Sequence, residues 1–385
     1  MANRSVPELA AWPFINKADI RREFPTNFLG ADNVLEDLIE DEAIELEHTS
    51  GTSEERTPLL LPRGWWAEQE LRALQLNGLV AKTLTRNPGA RRATINSPVC
   101  SGEIRYTGVP SRDERVIGNT LFVSLSRYPF LWGEKDLERI AEEVLEWEPE
   151  FLDIDPVYGV VFALYCERKR IRLPSLRFIL CSYEFVSVVH RAILTRVFGV
   201  PVFDLYGSTE TGHLLMEDDE GRMRPSLETA YLELVDIDAH GVGELVVSTL
   251  SNSVMPLIRY RIGDLVERAD GPYGARYRVH GRSVDAFRIS ETRRITTMQV
   301  DQCFAGLNGF AHYQLIQRAN EPWVLRFVPE REEPDSADLT KLGAKLSQLL
   351  ETPTTILIQT TDMLVPEKSG KFRLGYPTGN HIQGT

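Results

Sequence analysis

The sequence predicts an α/β fold in which a large N-terminal domain, with mainly parallel sheets and an antiparallel subdomain, precedes a small α+β C-terminal domain. Between residues 134 and 206, apolar strands alternate with amphipathic helices, a pattern typical of a parallel sheet covered on both faces. After residue 225 the pattern changes to successive strands, and beyond residue 282 strands and helices mix. We therefore expect two domains, residues 1–281 and 282–385, with a hinge near their boundary.

The N-terminal part begins with helical patterns. Residues 1 to about 47 are acidic and look helical, which we interpret as a solvated helix face. A polar loop follows at 48–58, and a helical pattern runs from Trp65 to about Leu76. The region 78–130 alternates short apolar runs with Gly, Pro and Asn turns, so its pattern does not fix an order of elements.

From residue 134 onward each element has a clear pattern. The predicted α/β part consists of helices at 134–146, 156–169 and 188–198 and strands at 151–153, 176–181 and 200–206. The antiparallel part consists of strands at 229–236, 243–250, 257–261 and 275–280. The C-terminal domain consists of a strand at 286–290, a helix at 298–307, a hairpin turning at 320–322, a helix at 337–350 and a strand at 354–359.

Composition excludes several classes of function. The net charge of −13 argues against a nucleic-acid-binding surface or a basic membrane-binding patch. No apolar run reaches membrane-spanning length, and the first residues show no secretory signal. The four cysteines form no CxxC pair and the histidines show no metal-binding spacing, so we expect reduced thiols in a cytoplasmic protein.

The most informative segment is the turn at 204–212, which directly follows an apolar strand. Tyr206 offers a ring for stacking, and Gly207 lets backbone amides approach an anion. Hydroxyls follow at Ser208 and Thr209, and the lone carboxylate of Glu210 is of the kind that holds Mg²⁺ beside substrate phosphates. The turn therefore predicts a purine nucleotide site at a strand's carboxyl end, where ligands of such sheets bind. The alternative is an ordinary polar turn after a buried strand.

A small-residue loop earlier in the chain is suited to wrapping phosphates with amides and hydroxyls. The commoner meaning of such a string is a helix cap. No GKS or GKT follows it, and no GxGxxG occurs in the chain, so neither a Walker P-loop nor a dinucleotide fold has motif support. The candidate phosphate-binding residues in this loop are Thr49, Ser50, Gly51 and Thr52.

Three later segments carry further candidate residues. Asp264 follows a strand and a glycine, where an acid could accept hydrogen bonds from ribose hydroxyls, although a strand-end turn is the simpler interpretation. Arg282 lies at the expected hinge. Lys371 stands on a Ser-Gly turn, from which a lysine can enter a site and leave it, whereas most C-terminal lysines only keep a tail soluble.

Taken in order, these five segments resemble the adenylate-forming superfamily of acyl-coenzyme A ligases, peptide-synthetase adenylation domains and luciferase. The segments 173–177 and 255–261 are typical of the phenylacetate–coenzyme A ligase branch. The resemblance covers roughly residues 48–375. It implies that the C-terminal domain is a mobile cap. It also implies that the chain activates a carboxylic acid of the aromatic class as an acyl-adenylate, with ATP as the source of the AMP group and pyrophosphate as the leaving group.

The resemblance also assigns roles to single residues. Tyr206 would stack on adenine, and Asp264 and Arg282 would bind the ribose hydroxyls. Thr209 would contact the α-phosphate of ATP, and Glu210 would bind Mg²⁺. The remaining assignments are an adenine-edge segment and two cations that face the phosphates and the reaction centre: Ser182, Tyr183 and Glu184 for the segment, Arg293 and Lys371 for the cations.

The sequence departs from the family at several positions. In the phosphate loop, Glu54 replaces a usual glycine and Leu59 stands where a lysine normally follows the proline, so Arg56 is a candidate for the missing cation. The segment before this loop is short for the family. Val284 replaces the usual hinge aspartate or lysine, and Glu291 stands where many coenzyme A ligases have a glycine. A carboxylate there would repel the coenzyme, which favours another acceptor.

Several alternatives stay open. The acyl group could pass to coenzyme A, to a carrier-protein thiol, or to an amine or hydroxyl, and a homodimer is compatible with the resemblance. A non-catalytic nucleotide-binding homologue with a decayed phosphate loop is a second function class. An acyl-transfer enzyme with a Ser or Cys nucleophile has less support, since the chain has no GxSxG elbow.

Overall fold

The computed structural model describes residues 9–29, 34–49, 56–98, 110–271, 274–290, 293–319, 321–351 and 356–378. By its internal contacts the chain forms two compact units, each discontinuous in sequence. The first unit consists of Met1–Gly78 and Tyr206–Arg278, and the second consists of Leu79–Leu205 and Val279–Thr385. Each unit is described by itself below.

The helices of the described residues, in chain order, are α1 Lys17–Arg21, α2 Leu35–Glu40, α3 Trp65–Leu74, α4 Gly78–Arg86, α5 Glu134–Trp147, α6 Pro156–Lys169, α7 Val188–Phe198, α8 Thr297–Asp301 and α9 Ser336–Leu350. The strands are β1 Ile44–His48, β2 Pro58–Pro62, β3 Arg92–Ile95, β4 Val116–Ile117, β5 Thr120–Phe122, β6 Phe151–Ile154, β7 Phe178–Cys181, β8 Val202–Ser208, β9 Gly212–Glu217, β10 Met223–Pro225, β11 Ala230–Val235, β12 Val242–Thr249, β13 Tyr260–Gly271, β14 Gly274–Arg282, β15 Phe287–Arg288, β16 Arg294–Ile295, β17 Phe310–Ile316, β18 Val324–Pro329, β19 Leu357–Thr360 and β20 Gly375–Tyr376.

The second unit is built on a parallel sheet with the strand order β8-β7-β6-β3-β5, to which β4 adds an antiparallel edge. Every residue of β6 and β7 is buried, as expected for strands covered on both faces. Helix α6 begins where the Asp155 side chain accepts a hydrogen bond from the Val157 amide, with Pro156 in the first helical position. Helix α7 ends at Gly199, whose φ of 67° is left-handed. These helices start at strand ends and therefore fix the loops at the carboxyl edge of the sheet.

A second layer of this unit comes from the C-terminal part of the chain. Strands β17 and β18 form an antiparallel hairpin, flanked by parallel β19 and β20. The buried carboxyl of Asp301 joins this layer to α7, since it accepts hydrogen bonds from the Tyr313 hydroxyl at 2.8 Å, the Val188 amide at 2.9 Å and the Ser187 hydroxyl. The predicted hairpin near 320–322 and the helix at 337–350 are confirmed in type and place.

The first unit contains the β1–β2 hairpin and an antiparallel sheet with the order β11-β12-β13-β14-β10-β9. The N-terminal segment adds to this sheet, because the Ile15 amide donates to the Arg259 carbonyl at 3.1 Å and the Ile15 carbonyl accepts from the Arg261 amide at 2.9 Å. Its core brings together α1, both hairpin strands, α3 and the start of β13, with buried members Ile20, Ile44, Leu59, Leu60, Leu61, Trp65, Met255, Leu257 and Tyr260.

The predicted α/β class with parallel and antiparallel sheets is confirmed, but several elements differ. Residues 44–48 are a strand and not part of a helix, because their backbone pairs antiparallel with residues 58–62. The strand predicted at 257–261 begins at Tyr260 and continues to Gly271. Residues 279–385 belong to the same compact unit as 79–205, so a separate mobile cap from residue 282 stays a prediction.

Two observations bear on the class of protein. Within the described ranges, no helix is both long and apolar enough to cross a membrane. Cys166, Cys181 and Cys303 are buried free thiols, while Cys100 lies outside the described residues.

The Asp301 carboxyl makes the stability of the protein depend on pH. Burial raises its pKa to about 6, even though the hydrogen bonds from Ser187, Val188 and Tyr313 act in the opposite direction. The folded state therefore keeps a proton that the unfolded state loses near pH 4, so this contribution to stability is present below pH 4 and is lost as the pH rises through 6. We expect wild type to lose on the order of 3 kcal/mol of unfolding free energy between pH 4 and 7, measured by urea unfolding, and Asp301→Asn not to show this loss.

The matched control is Asp362→Asn, which removes an exposed carboxyl from the same unit. Parallel stability profiles for wild type and Asp301→Asn over this pH range would contradict the assignment.

Candidate active site

The turn between β8 and β9 has a shape that two glycines impose. A Cβ on Gly207 would lie 2.2 Å from the Gly212 carbonyl oxygen, so no side chain fits there. Gly212 has a φ of 73°, in the left-handed region. The Ser208 and Thr211 hydroxyls lie 3.0 Å apart and close the turn, with Thr209 half-buried between them in sequence. The segment that joins β8 to β9 is therefore a tight turn, as the sequence predicts.

The structure brings Tyr206 and Asp264 together within the first unit. The Tyr206 hydroxyl donates a hydrogen bond of 2.7 Å to Asp264 Oδ2, and both residues are half-buried. Asp264 lies inside β13 next to Gly263, whose φ is 90°, and does not end the strand. The ring predicted to stack on a base and the carboxylate predicted to bind a ribose are thus neighbours.

Glu210 is a buried carboxylate with two strong partners. Its Oε1 accepts a hydrogen bond from the Tyr260 hydroxyl at 3.0 Å and lies 2.9 Å from Lys17 Nζ. Burial acts to raise the pKa of Glu210, but the Lys17 ammonium and the Ser208 hydroxyl outweigh it and hold the pKa below its usual range. The carboxylate is therefore ionised at neutral pH.

A single ionised carboxylate is a suitable protein ligand for Mg²⁺ that also binds phosphates and water. Among the residues that the structure describes, no three His, Cys, Asp or Glu side chains converge on a common metal position. The Glu210 carboxylate therefore fits a magnesium ion that arrives with a nucleotide.

The phosphate loop is tied at its base. The Thr49 amide donates to the Thr57 carbonyl at 3.0 Å, and the Thr57 amide donates to the Thr49 hydroxyl at 3.1 Å. Both threonines are buried, and Arg56 is exposed. Ser50, Gly51 and Thr52 lie outside the described residues.

In the second unit, the turn that carries Lys371 is docked beyond the carboxyl end of β3 and on the first turn of α6. The Ser97 hydroxyl donates to the Ser369 carbonyl at 2.9 Å, and the Tyr158 hydroxyl donates to the Gly370 carbonyl at 3.0 Å. Gly370 has a φ of 84°, and a Cβ on it would lie 2.0 Å from Ser97 Oγ. The turn therefore fits this position only with glycine.

The Lys371 charge acts on two buried carboxyls at neighbouring strand ends. Asp155 follows β6 and Glu184 follows β7, and Glu184 Oε1 also accepts a hydrogen bond from the Phe372 amide. Burial raises the pKa of Asp155 to about 7 and raises that of Glu184 well above its usual range. The Lys371 charge acts in the opposite direction on both pKa values without cancelling the effect of burial. The pair therefore retains a proton near neutral pH.

The remaining predicted residues have other partners in this unit. Ser182 and Tyr183 donate to the Asp153 carboxylate at 2.5 and 3.3 Å. Arg282 is exposed, and its charge lowers the pKa of Glu184 against the larger effect of burial. Arg293 donates to the Leu349 carbonyl at 2.9 Å and pairs with Glu351, so its described contacts lie at the C-terminal end of α9.

Sequence reasoning missed Lys17, Tyr260, Asp155, Ser97 and Tyr158. Two of them carried a local signal: Lys17 follows the Asn16 of a capping box, and Asp155 precedes a proline at the start of a helix. Ser97 and Tyr158 contact the Lys371 turn from far away in the sequence: Ser97 lies 272 positions before its partner Ser369, and Tyr158 lies 212 positions before its partner Gly370. No local pattern could have revealed those contacts.

Comparison with known proteins found relatives in sequence and in fold. No protein-family model matches the chain. Protein CapK of Staphylococcus aureus is 23% identical over 250 residues, which cover 62% of this chain and 55% of CapK. Phenylacetate–coenzyme A ligase of Pseudomonas putida is 24% identical over 304 residues, covering 73% of this chain and 63% of that ligase. The chain therefore spans less than two thirds of the length of either relative.

Solved structures agree in fold. A 2-hydroxyisobutyryl-CoA ligase in complex with 2-HIB-AMP matches with a TM-score of 0.63 and 16% identity, over 94% of this chain and 81% of that one. An anthranilate CoA ligase in complex with anthranoyl-AMP matches with a TM-score of 0.61 and 14% identity, over 86% and 65%. The chain has the fold of the adenylate-forming ligases. The expected likeness to phenylacetate–coenzyme A ligase is therefore confirmed in sequence, and the likeness to adenylate-forming ligases is confirmed in fold.

In this adenylate-forming fold, the close approach at Gly370 predicts a specific defect. We expect Gly370→Ala to displace the turn from Ser97 and to expose the backbone after Lys368 and Lys371 to trypsin, measured by mass spectrometry under native conditions. Gly306→Ala is the matched control, because Gly306 also has a left-handed φ of 77° but no atom within 4 Å of its added Cβ.

The control should show only the cost of the left-handed backbone, roughly 1–2 kcal/mol of unfolding free energy. Gly370→Ala should lose more than this. Equal losses in both variants, with no new tryptic cleavage in 366–373, would contradict the close packing of the turn.

Proposed function

We propose that this chain activates a carboxylic acid, of the aromatic class, as an acyl-adenylate with ATP as cosubstrate and pyrophosphate as leaving group. The observation that carries the proposal is the seating of Lys371. A lysine that only solubilises a tail needs no fixed position, whereas this one stands on a buried turn held by hydroxyls of Ser97 and Tyr158. Attack of a carboxylate on the α-phosphate needs no protein nucleophile, only positioning and charge stabilisation.

The first unit supplies the residues proposed for the nucleotide. The Tyr206 ring offers its face to adenine, and Asp264 accepts hydrogen bonds from the ribose hydroxyls. Thr209 donates to an oxygen of the α-phosphate. Glu210, ionised at neutral pH, holds Mg²⁺, which when bound would neutralise part of the phosphate charge.

The second unit supplies the proposed catalytic cation. The Lys371 ammonium orients the attacking carboxylate and stabilises the negative charge that develops on the α-phosphate oxygens. Because Asp155 and Glu184 together keep a proton near neutral pH, they do not fully neutralise Lys371. We assign Ser182, Tyr183 and Glu184 to the adenine edge, Arg282 to the ribose and Arg293 to the phosphates on the family resemblance alone.

The substrate class and acceptor are supported by the relatives. Phenylacetate, anthranilate and benzoate ligases are among the similar proteins, which favours an aromatic acid. Their names also favour coenzyme A as the acceptor. Glu291, whose charge argues against coenzyme A as the acceptor, lies outside the described residues. A carrier-protein thiol or an amine remains the alternative acceptor, and we propose a cytoplasmic location.

A non-catalytic nucleotide-binding homologue is less well supported. Glu210 is buried and ionised, and Lys371 is positioned beside two carboxyls. Simple nucleotide binding gives no physical reason to keep a lysine on a docked turn.

Replacement of the proposed catalytic lysine tests the function. We expect Lys371→Ala to lower acid-dependent ATP–pyrophosphate exchange by about 100-fold or more while ATP affinity changes little, because the ammonium acts mainly on the reacting oxygens. The matched control is Lys368→Ala, which removes the same charge from an exposed side chain of the same turn.

Exchange should be measured over a panel of aromatic acids beginning with phenylacetate and benzoate, and ATP binding by calorimetry. Full exchange in Lys371→Ala would contradict the assigned role.

The acceptor can be tested separately. Enzyme, ATP and an active acid are incubated with and without coenzyme A, and the products are followed by mass spectrometry. We expect coenzyme A to accelerate AMP release and to yield the thioester. An adenylate that accumulates unchanged in the presence of coenzyme A would assign the second half-reaction to another thiol or an amine.

A further inference from the structure

Helix α1 places two cations on one side of the nucleotide-binding residues of the first unit. Lys17 and Arg21 are four positions apart and so share a helix face. Lys17 Nζ lies 2.9 Å from Glu210 Oε1, and Arg21 Nη1 donates to the Thr57 hydroxyl at 3.4 Å. The positive charge of Arg21 also acts on Tyr260, whose hydroxyl donates to Glu210.

This helix is firmly built into the first unit. Asn16 and Asp19 form a capping box at its start, and Ile20 between the two cations is 1% exposed. The preceding residues are held by Arg259, the residue just before β13, whose guanidinium donates to the carbonyls of Ala10 and Trp12 at 2.9 and 2.6 Å. The cations are therefore presented from a fixed backbone.

The acidic residues of the phosphate loop mean that the negative charge of a bound triphosphate needs cations from elsewhere in the chain. The loop contains Glu54 and Glu55 and has Leu59 where the family has a lysine. An ATP triphosphate carries several negative charges, and a chain of net charge −13 offers it no general attraction. Thr57, the partner of Arg21, forms the base of that loop with Thr49.

Lys17 is suited to exchange its partner. Its side chain is 46% exposed although it pairs with a carboxylate that is 4% exposed, so the ammonium stays accessible from solvent. An arriving phosphate can accept hydrogen bonds from this ammonium, and Glu210 is then open to another cation. The ion pair thus gives Glu210 a cation partner from the protein itself, which a nucleotide with its metal ion can replace.

We propose that Lys17 and Arg21 bind the β- and γ-phosphates of ATP and replace the cation that the phosphate loop lacks. This inference rests on the proposed function, since it assigns further residues to the same nucleotide. It also gives the missing cation a source in the N-terminal segment instead of the exposed Arg56.

The test compares nucleotides that differ only in these phosphates. Binding of ATP and of AMP is measured by calorimetry for wild type, Lys17→Gln and Arg21→Gln, with and without Mg²⁺. We expect each variant to weaken ATP binding by about tenfold and to leave AMP binding within about twofold of wild type. Arg22→Gln is the matched control, because Arg22 belongs to the same segment but pairs with Asp19 at the surface.

Folding is checked by thermal unfolding of each variant. Lys17→Gln deprives the buried Glu210 of its cation, so its thermal unfolding is compared with that of Lys17→Gln/Glu210→Gln, in which that carboxylate is neutral. ATP binding is not measured on the double variant, because Glu210 is the proposed magnesium ligand. Arg21→Gln leaves the Glu210 pair intact. Lys17→Arg should restore ATP binding, since it keeps the charge.

The outcomes separate this inference from the proposed function. Wild type that binds neither ATP nor AMP would overturn both. Unchanged ATP binding in Lys17→Gln and Arg21→Gln would overturn the inference and leave the proposed function standing. The same conclusion would follow if these variants weakened ATP binding and AMP binding by the same factor.

Discussion

The position of the Lys371 turn depends on one steric constraint, the absence of a side chain at Gly370. Because no Cβ stands there, the Lys371 turn can pack against Ser97 and accept a hydrogen bond from Tyr158. The turn is closed on itself, since the Gly370 amide donates to the Glu367 carbonyl at 2.8 Å. The Phe372 ring then packs against the Phe130 ring, with 5.7 Å between the ring centroids, on the apolar side of the turn. A charged C-terminal segment thereby becomes part of the carboxyl edge of a parallel sheet.

The two units treat their buried carboxyls in opposite ways, and the difference matches the proposed chemistry. Glu210 is kept ionised by an adjacent ammonium, as a ligand for a cation must be. Asp155 and Glu184 have no cation that outweighs their burial, so they hold a proton. An ionised pair beside Lys371 would cancel its charge, whereas a protonated pair leaves that charge available to a phosphate.

The sequence was informative where structure is decided locally. Helices α6 and α7 follow their predicted bounds because Asp155 with Pro156, Ser187 and Gly199 mark helix ends within a few residues. The helix predicted over β1 is wrong, because five residues in an acidic segment are too few to show the alternation of apolar and polar residues that marks a strand. The contacts of Lys371 with the sheet edge, of Arg293 with α9 and of Lys17 with Glu210 join distant segments. They follow from tertiary packing, which no local pattern contains.

The central claim is that the acid attacks the α-phosphate of ATP, and isotope transfer tests it most directly. The enzyme is supplied with ATP and an active acid labelled with ¹⁸O in both carboxylate oxygens, and the released nucleotide is weighed by mass spectrometry. The account predicts AMP that carries one ¹⁸O, because one carboxylate oxygen becomes the bridge to the α-phosphate and leaves with AMP. Unlabelled AMP, or release of ADP with the label in inorganic phosphate, would contradict it.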